Sequence, residues 1–96
     1  MKRIHDFLKK ISEEKGYDFF IYEKNNEIWV SGYKEGVKFD LVVKPVRKYQ
    51  VKVIYEKPDE RRVALFNNKN DAYNRLKKIF AEEAQQQSEE QAVETA

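Results

Sequence analysis

The chain has 96 residues, of which 38% are charged, with three glycines and no cysteine. That length leaves room for one domain with one core, and the missing thiols exclude disulfides and thiolate metal centres. No apolar run reaches the length of a membrane helix, and the N-terminus lacks the apolar segment of a signal peptide. The expected setting is therefore cytoplasmic, with no membrane contact. The net charge of +2 conceals an uneven distribution. Residues 1–80 hold all 19 Lys and Arg against 12 acids, a balance of +7, while 81–96 hold five glutamates and no base, a balance of −5.

Ile4, Phe7, Leu8 and Ile11 recur at helical spacing, which predicts an amphipathic helix over Lys2 to Lys15. Gly16 suits its αL cap. Strands follow. Tyr17 to Lys24 is aromatic and β-branched, Asn25-Asn26 offers a hairpin turn, and Glu27 to Tyr33 forms the second strand. A turn at Lys34-Glu35-Gly36 leads into the alternating run Val37 to Val43, which should stop near Lys44 because Pro45 donates no ladder hydrogen bond. Tyr49 to Tyr55 is the fourth strand, Pro58-Asp59 a turn, and Arg62 to Phe66 a short fifth strand. Asn67 to Asp71 is rich in capping residues, so one of them should start a last helix with the apolar stripe Ala72, Tyr73, Leu76, Ile79, Phe80 and Ala84. The expected fold is α+β: an N-terminal helix, a four- to five-stranded antiparallel meander and a C-terminal helix. Residues 1–84 form that domain, and 85–96 read as a flexible acidic, Gln-rich tail.

Register follows from the turns. A two-residue Asn25-Asn26 loop makes partner numbers sum to 51, with Tyr22 opposite Trp29. A Glu35-Gly36 loop makes them sum to 71, with Val30 opposite Leu41. The third turn needs an odd length to keep Val51 and Val53 beside Leu41 and Phe39. A three-residue loop, Pro45 to Arg47, would also set Asp40 opposite Lys52. One face then carries Tyr17, Phe19, Ile21, Ile28, Val30, Val37, Phe39, Leu41, Val43, Tyr49, Val51, Val53, Tyr55, Val63 and Leu65, and reads as the core. The other carries Phe20, Tyr22, Trp29, Tyr33, Val42, Ile54 and Phe66 among Lys38, Asp40, Lys44, Lys52 and Arg62. The simplest packing lays both helices on the Leu41 face and leaves the Trp29 face to solvent or a partner.

Nothing in the sequence assembles a catalytic constellation. His5 is the only histidine, with Asp6 its one acidic neighbour, and reads as an ordinary surface residue of the first helix. A metal site would need clustered ligands, and no cofactor motif is present. Gly32 and Gly36 have the wrong spacing and context for a phosphate loop; Gly32 reads as a bulge or as a gap beside Phe39. Ser12, Ser31 and Ser88 have no histidine placed to activate them. The chain is expected not to be an enzyme.

The Trp29 face is where a partner is expected. Rings interleaved with cations on an open sheet suit single-stranded nucleic acid: Tyr22, Trp29 and Tyr33 as a stacking platform, Phe20 and Phe66 at its margins, and Lys38, Lys44, Lys52, Arg62 and the loop residues Arg47 and Lys48 along the phosphates. A small non-enzymatic module binding single-stranded nucleic acid is the leading expectation, and the alternative is a protein partner on the same face, as a homodimer, adaptor or small inhibitor. Two structural readings compete. The last helix could cover this face as a second core, or Tyr22 and Trp29 could simply brace a hairpin.

Overall fold

The computed structural model describes residues 1–92 along the backbone and 1–81 in their side chains. Helix α1 (Lys2–Lys15) leads into strands β1 (Asp18–Tyr22), β2 (Glu27–Lys34), β3 (Val37–Pro45), β4 (Val51–Lys57) and β5 (Glu60–Phe66), followed by helix α2 (Lys69–Ala92). The strands form one antiparallel meander in the order β1-β2-β3-β4-β5. The tail expected over 85–96 falls outside the described side chains, and its last four residues outside the described backbone.

Both helix boundaries follow from local chemistry. Gly16 adopts φ 76°, and its N–H and that of Tyr17 both donate to the Ser12 carbonyl, the latter at 2.9 Å. Glycine reaches this left-handed conformation without steric cost. At the other helix, the Asn68 side-chain oxygen accepts the Asp71 N–H at 2.8 Å, and its amide donates to the Asp71 carboxylate at 3.2 Å. Asn68 is thus the cap within the 67–71 cluster, satisfying a donor that the first helical turn leaves open.

The second hairpin has the expected register, with Val30 opposite Leu41 and Ser31 opposite Asp40. Glu35 (φ 54°) and Gly36 (φ 80°) both lie in the left-handed region, as a type I′ turn requires. The first hairpin differs. Phe20, not Tyr22, lies opposite Trp29, and Tyr22 lies opposite Glu27, so partner numbers sum to 49. The loop is Glu23 to Asn26, where the Asn25 and Asn26 N–H groups donate to the Tyr22 and Glu23 carbonyls and Asn26 takes φ 57°. A shift of two positions leaves every side chain on its expected face.

The third turn also slips by an even number. Its loop runs from Val46 to Gln50, closed by the Val46 N–H donating to the Gln50 carbonyl at 3.0 Å. Pro45 therefore ends β3 opposite Val51, and Asp40 faces Glu56 rather than Lys52. Tyr49, expected in the core, sits in this loop and is 63% exposed; Val37, at the rim beside the second turn, is also exposed.

The fourth turn changes the face. Pro58-Asp59 is a two-residue loop with Lys57 opposite Glu60, so partner numbers sum to 117. An odd sum pairs the odd, inward residues of β4 with even residues of β5: Val53 with Ala64, Tyr55 with Arg62, and Val51 with Phe66. Val63 and Leu65, expected in the core, point away from it and are 47% and 55% exposed. Arg62 and Phe66, expected on the open face, lie on the helix side, and Phe66 packs against the core.

Both helices lie on the Leu41 side, α1 across β1 and β2, and α2 across β4 and β5. Leu8, Phe39, Leu41 and Leu76 are fully buried there. Truncating such a leucine to alanine costs ~2–5 kcal/mol. The Arg3 guanidinium joins the helices, stacking 4.1 Å from the Tyr73 ring centroid and donating to the Asn70 side-chain oxygen at 3.2 Å. No described part of the chain covers the opposite face of the sheet, where Phe20, Tyr22 and Trp29 are exposed.

Candidate interaction face

The ladders sort the outer side chains into rows that cross the sheet. The central row is apolar on every strand: Phe20, Trp29, Val42, Ile54 and Val63. Toward the loops 23–26 and 46–50 lies Tyr22, Glu27, Lys44, Lys52 and Leu65. On the other side lies Asp18, Ser31, Asp40, Glu56 and Arg61. With strands ~4.8 Å apart, the central row is ~19 Å long, and its flanking rows stand ~6.7 Å away.

Three of the predicted site residues come together as an aromatic cluster. Phe20 meets Tyr22 edge-to-face at 4.9 Å, and Tyr22 meets Trp29 at 5.6 Å. Each such contact contributes ~0.5–1.5 kcal/mol beyond burial. The Trp29 indole N–H donates to Glu27 Oε1 at 3.2 Å, and the residue is 39% exposed. Tyr33 stands apart, four residues and ~13 Å further along β2, opposite Lys38. Arg47 and Lys48 lie in the β3–β4 loop, with Lys48 Nζ 5.6 Å above the Tyr49 ring.

Two of the cations predicted for this face, Lys38 and Lys44, are ion-paired with carboxylates, as is Arg61. Lys38 pairs with Asp40 at 3.3 Å, and Asp40 also accepts from the Ser31 hydroxyl. Lys44 pairs with Glu27 at 3.5 Å, and Arg61 with Glu56 at 2.8 Å. Lys38, Lys44, Lys52 and Arg61 thus stand against Asp18, Glu27, Asp40 and Glu56, and the face is neutral. The positive excess of residues 1–80 lies elsewhere. The sequence reading missed Val63, Leu65 and Arg61, and the signal was present: a two-residue Pro58-Asp59 loop forces an odd partner sum.

Arg62 belongs to the helix side. It donates to Glu60 and lines a cleft of ≈ 270 Å³ with Ala64, Tyr55, Arg75 and Lys78. Ala64 lies opposite Val53 in this lining, and Arg75 lies 5.6 Å above the Phe66 ring. The hydrogen bond from Arg62 holds the Glu60 carboxyl below the usual carboxylate range. At α1, hydrogen bonds from Lys2 and then His5 lower the Asp6 carboxyl in the same way. His5 also meets Phe19 edge-on at 5.6 Å. Among the described residues, no three His, Asp or Glu side chains gather as metal ligands, and no described helix is long and apolar enough to cross a membrane. No family model, curated protein or solved structure matches this chain.

Proposed function

We propose that this chain is a non-enzymatic protein-interaction module that docks its partner on the outer face of the sheet. One observation carries the reading: an apolar row crosses all five strands on the side of the sheet that no described element covers, with Phe20, Trp29 and Val63 exposed along it, Ile54 half-buried and Val42 buried. Exposed apolar side chains grouped on one uncovered face mark docking sites. Aromatic and aliphatic residues at its centre with charge at its flanks match the anatomy of a protein interface. The sheet edges are poorly suited to strand addition. One edge strand has five residues, and the other carries Glu60, Arg61 and Arg62 in succession.

Single-stranded nucleic acid is the competing occupant. Its affinity would rest on phosphate neutralisation, and the cations of this face are matched in number by carboxylates on the same face. Trp29 reports on both. Its emission should shift to the blue as a protein partner covers the row, and the shift should persist in 1 M salt. Quenching by single-stranded DNA or RNA that vanishes as salt rises would reassign the face to nucleic acid.

A further inference from the structure

The register leaves two like-charge pairs side by side at the middle of the outer face. Lys44 lies directly opposite Lys52, and Asp40 directly opposite Glu56. Like charges facing each other across a ladder are destabilising. The two pairs flank the apolar pair Val42 and Ile54, one on each side. Lys44, Asp40 and Glu56 each reach one partner of opposite sign within the chain.

Two sheets packed face to face by a two-fold axis must have that axis in the interface plane. If it runs along the strands, each flanking row meets itself reversed: with the axis over β3, Lys44 lies over Lys44 and Asp40 over Asp40 while Lys52 meets Glu27, and with the axis between β3 and β4, Lys44 lies over Lys52 and Asp40 over Glu56. If it runs along the apolar row, the row packs on itself and the two flanking rows exchange. Strand β3 then lies over β3, with Lys44 of one copy above Asp40 of the other, and β4 over β4, with Lys52 above Glu56. Leu65 comes over the stem of Arg61, and Tyr22 over Asp18. Resting on the reading of this face as a docking surface, we propose that its occupant is a second copy of this chain, packed about a two-fold axis along the Phe20–Trp29–Val42–Ile54–Val63 row so that each Lys44/Lys52 pair covers the other copy's Asp40/Glu56 pair.

Five strands by three rows cover ~24 Å by ~20 Å in plan, ~480 Å², which is smaller than the ~800 Å² per partner of a standard interface and suits a weak dimer. Sheets packed in this way stand ~10 Å apart with inner side chains interdigitated. The arrangement is isologous and closes, so it ends at a dimer.

Lys52→Glu and Glu56→Lys test it. Each turns one like-charge pair within the copy into an opposite-charge pair, with Lys44 or Asp40 respectively; Glu56→Lys also gives up the ion pair with Arg61, which lies opposite it on β5, so circular dichroism and thermal melts verify that each variant keeps its fold. In a dimer of either variant, like charges meet across the interface. In a mixture, the glutamate introduced at position 52 of one copy meets the lysine introduced at position 56 of the other. The unaltered Lys52 and Glu56 of the two copies meet at the symmetry-related contact. Sedimentation and native mass spectrometry up to ~100 µM, enough to detect a dimer of micromolar Kd, should show a wild-type dimer. Each variant alone should associate about tenfold or more weakly, and the equimolar mixture should recover a heterodimer. A monomeric wild type, variants that dimerise as the wild type does, or a mixture that stays monomeric would each overturn the proposal. Two further readouts separate this failure from that of the docking reading. Bis-ANS bound at the face, read by energy transfer from Trp29, keeps the docking surface in play when the wild type is monomeric. A Trp29→Glu chain that dimerises as well as wild type sinks both.

Discussion

Replacing Gly32 with alanine probes the tightest point of the inner face. Gly32 sits opposite Phe39 in an unbroken ladder, without the bulge that a glycine in a strand can mark. A Cβ at this position would lie 2.6 Å from Tyr17 Cδ1 and 3.2 Å from Cγ, where ordinary contact starts at 3.4 Å. The Tyr17 ring has little room to retreat, because it stands edge-on to Phe39 at 4.9 Å and 6.0 Å from Phe80. Overpacking of this kind costs ~1–3 kcal/mol. Alanine returns ~0.5–1 kcal/mol through lower backbone entropy in the unfolded chain. The net is a loss of about 1–2 kcal/mol, or roughly 5–15 °C in melting temperature for a domain of this size. Urea and thermal denaturation of Gly32→Ala, Tyr17→Ala and the double variant measure it. With the ring gone, alanine at 32 should become neutral or stabilising, giving a coupling of about 1 kcal/mol or more. A Gly32→Ala protein as stable as wild type, or strictly additive effects, would refute the account.

Ser12 is 2% exposed, and its hydroxyl finds no partner among the described residues. Ser12→Ala should therefore raise stability by about 1 kcal/mol in urea denaturation; a loss would show that the hydroxyl is satisfied. The β5 register predicts opposite outcomes for adjacent residues. Leu65→Lys should leave folding of the monomer within about 0.5 kcal/mol, whereas Phe66→Ala should cost ~1–3 kcal/mol, and reversed sensitivities would mean the strand has slipped by one. The Arg62–Glu60 hydrogen bond lowers the Glu60 pKa on folding, so its contribution is present above the unfolded carboxylate value and is lost as pH falls through the lower folded value. The melting-temperature gap between wild type and Glu60→Gln should accordingly narrow on acidification, and a gap that widens would contradict that sign.

The elements themselves were legible in the residues because each carried its own local signal. The α1 stripe, the αL glycine at position 16, the capping asparagines before α2 and the alternation of β3 need no tertiary information. Loop lengths were harder. Asn25-Asn26 looks like a two-residue turn, yet the loop takes in Glu23 and Lys24 as well, with only Asn26 at positive φ. Pro45 looks like a stop, yet its missing donor is harmless at the end of β3, and the loop closes through Val46 and Gln50 instead.

Which errors mattered depends on parity. The first and third turns slipped by even numbers, so Phe20, Trp29, Val42 and Ile54 kept the face that alternation assigned them. The third slip nonetheless changed the electrostatics, replacing an expected Asp40–Lys52 pair with Asp40–Glu56 and Lys44–Lys52. The fourth turn was odd, and that single position moved Val63 and Leu65 outward and Arg62 and Phe66 inward. Alternation misleads in β5, because it puts Val63 and Leu65 on one face and Arg62, Ala64 and Phe66 on the other, so the wholly aliphatic face reads as the core. On the outer face the odd turn exchanges Arg62 for Arg61, leaving the charge unchanged, and Phe66 for Val63 and Leu65, extending the apolar row to the last strand. A surface that composition made look basic is, residue by residue, an apolar band between rows of mixed charge, and such a band is better complemented by protein than by phosphate.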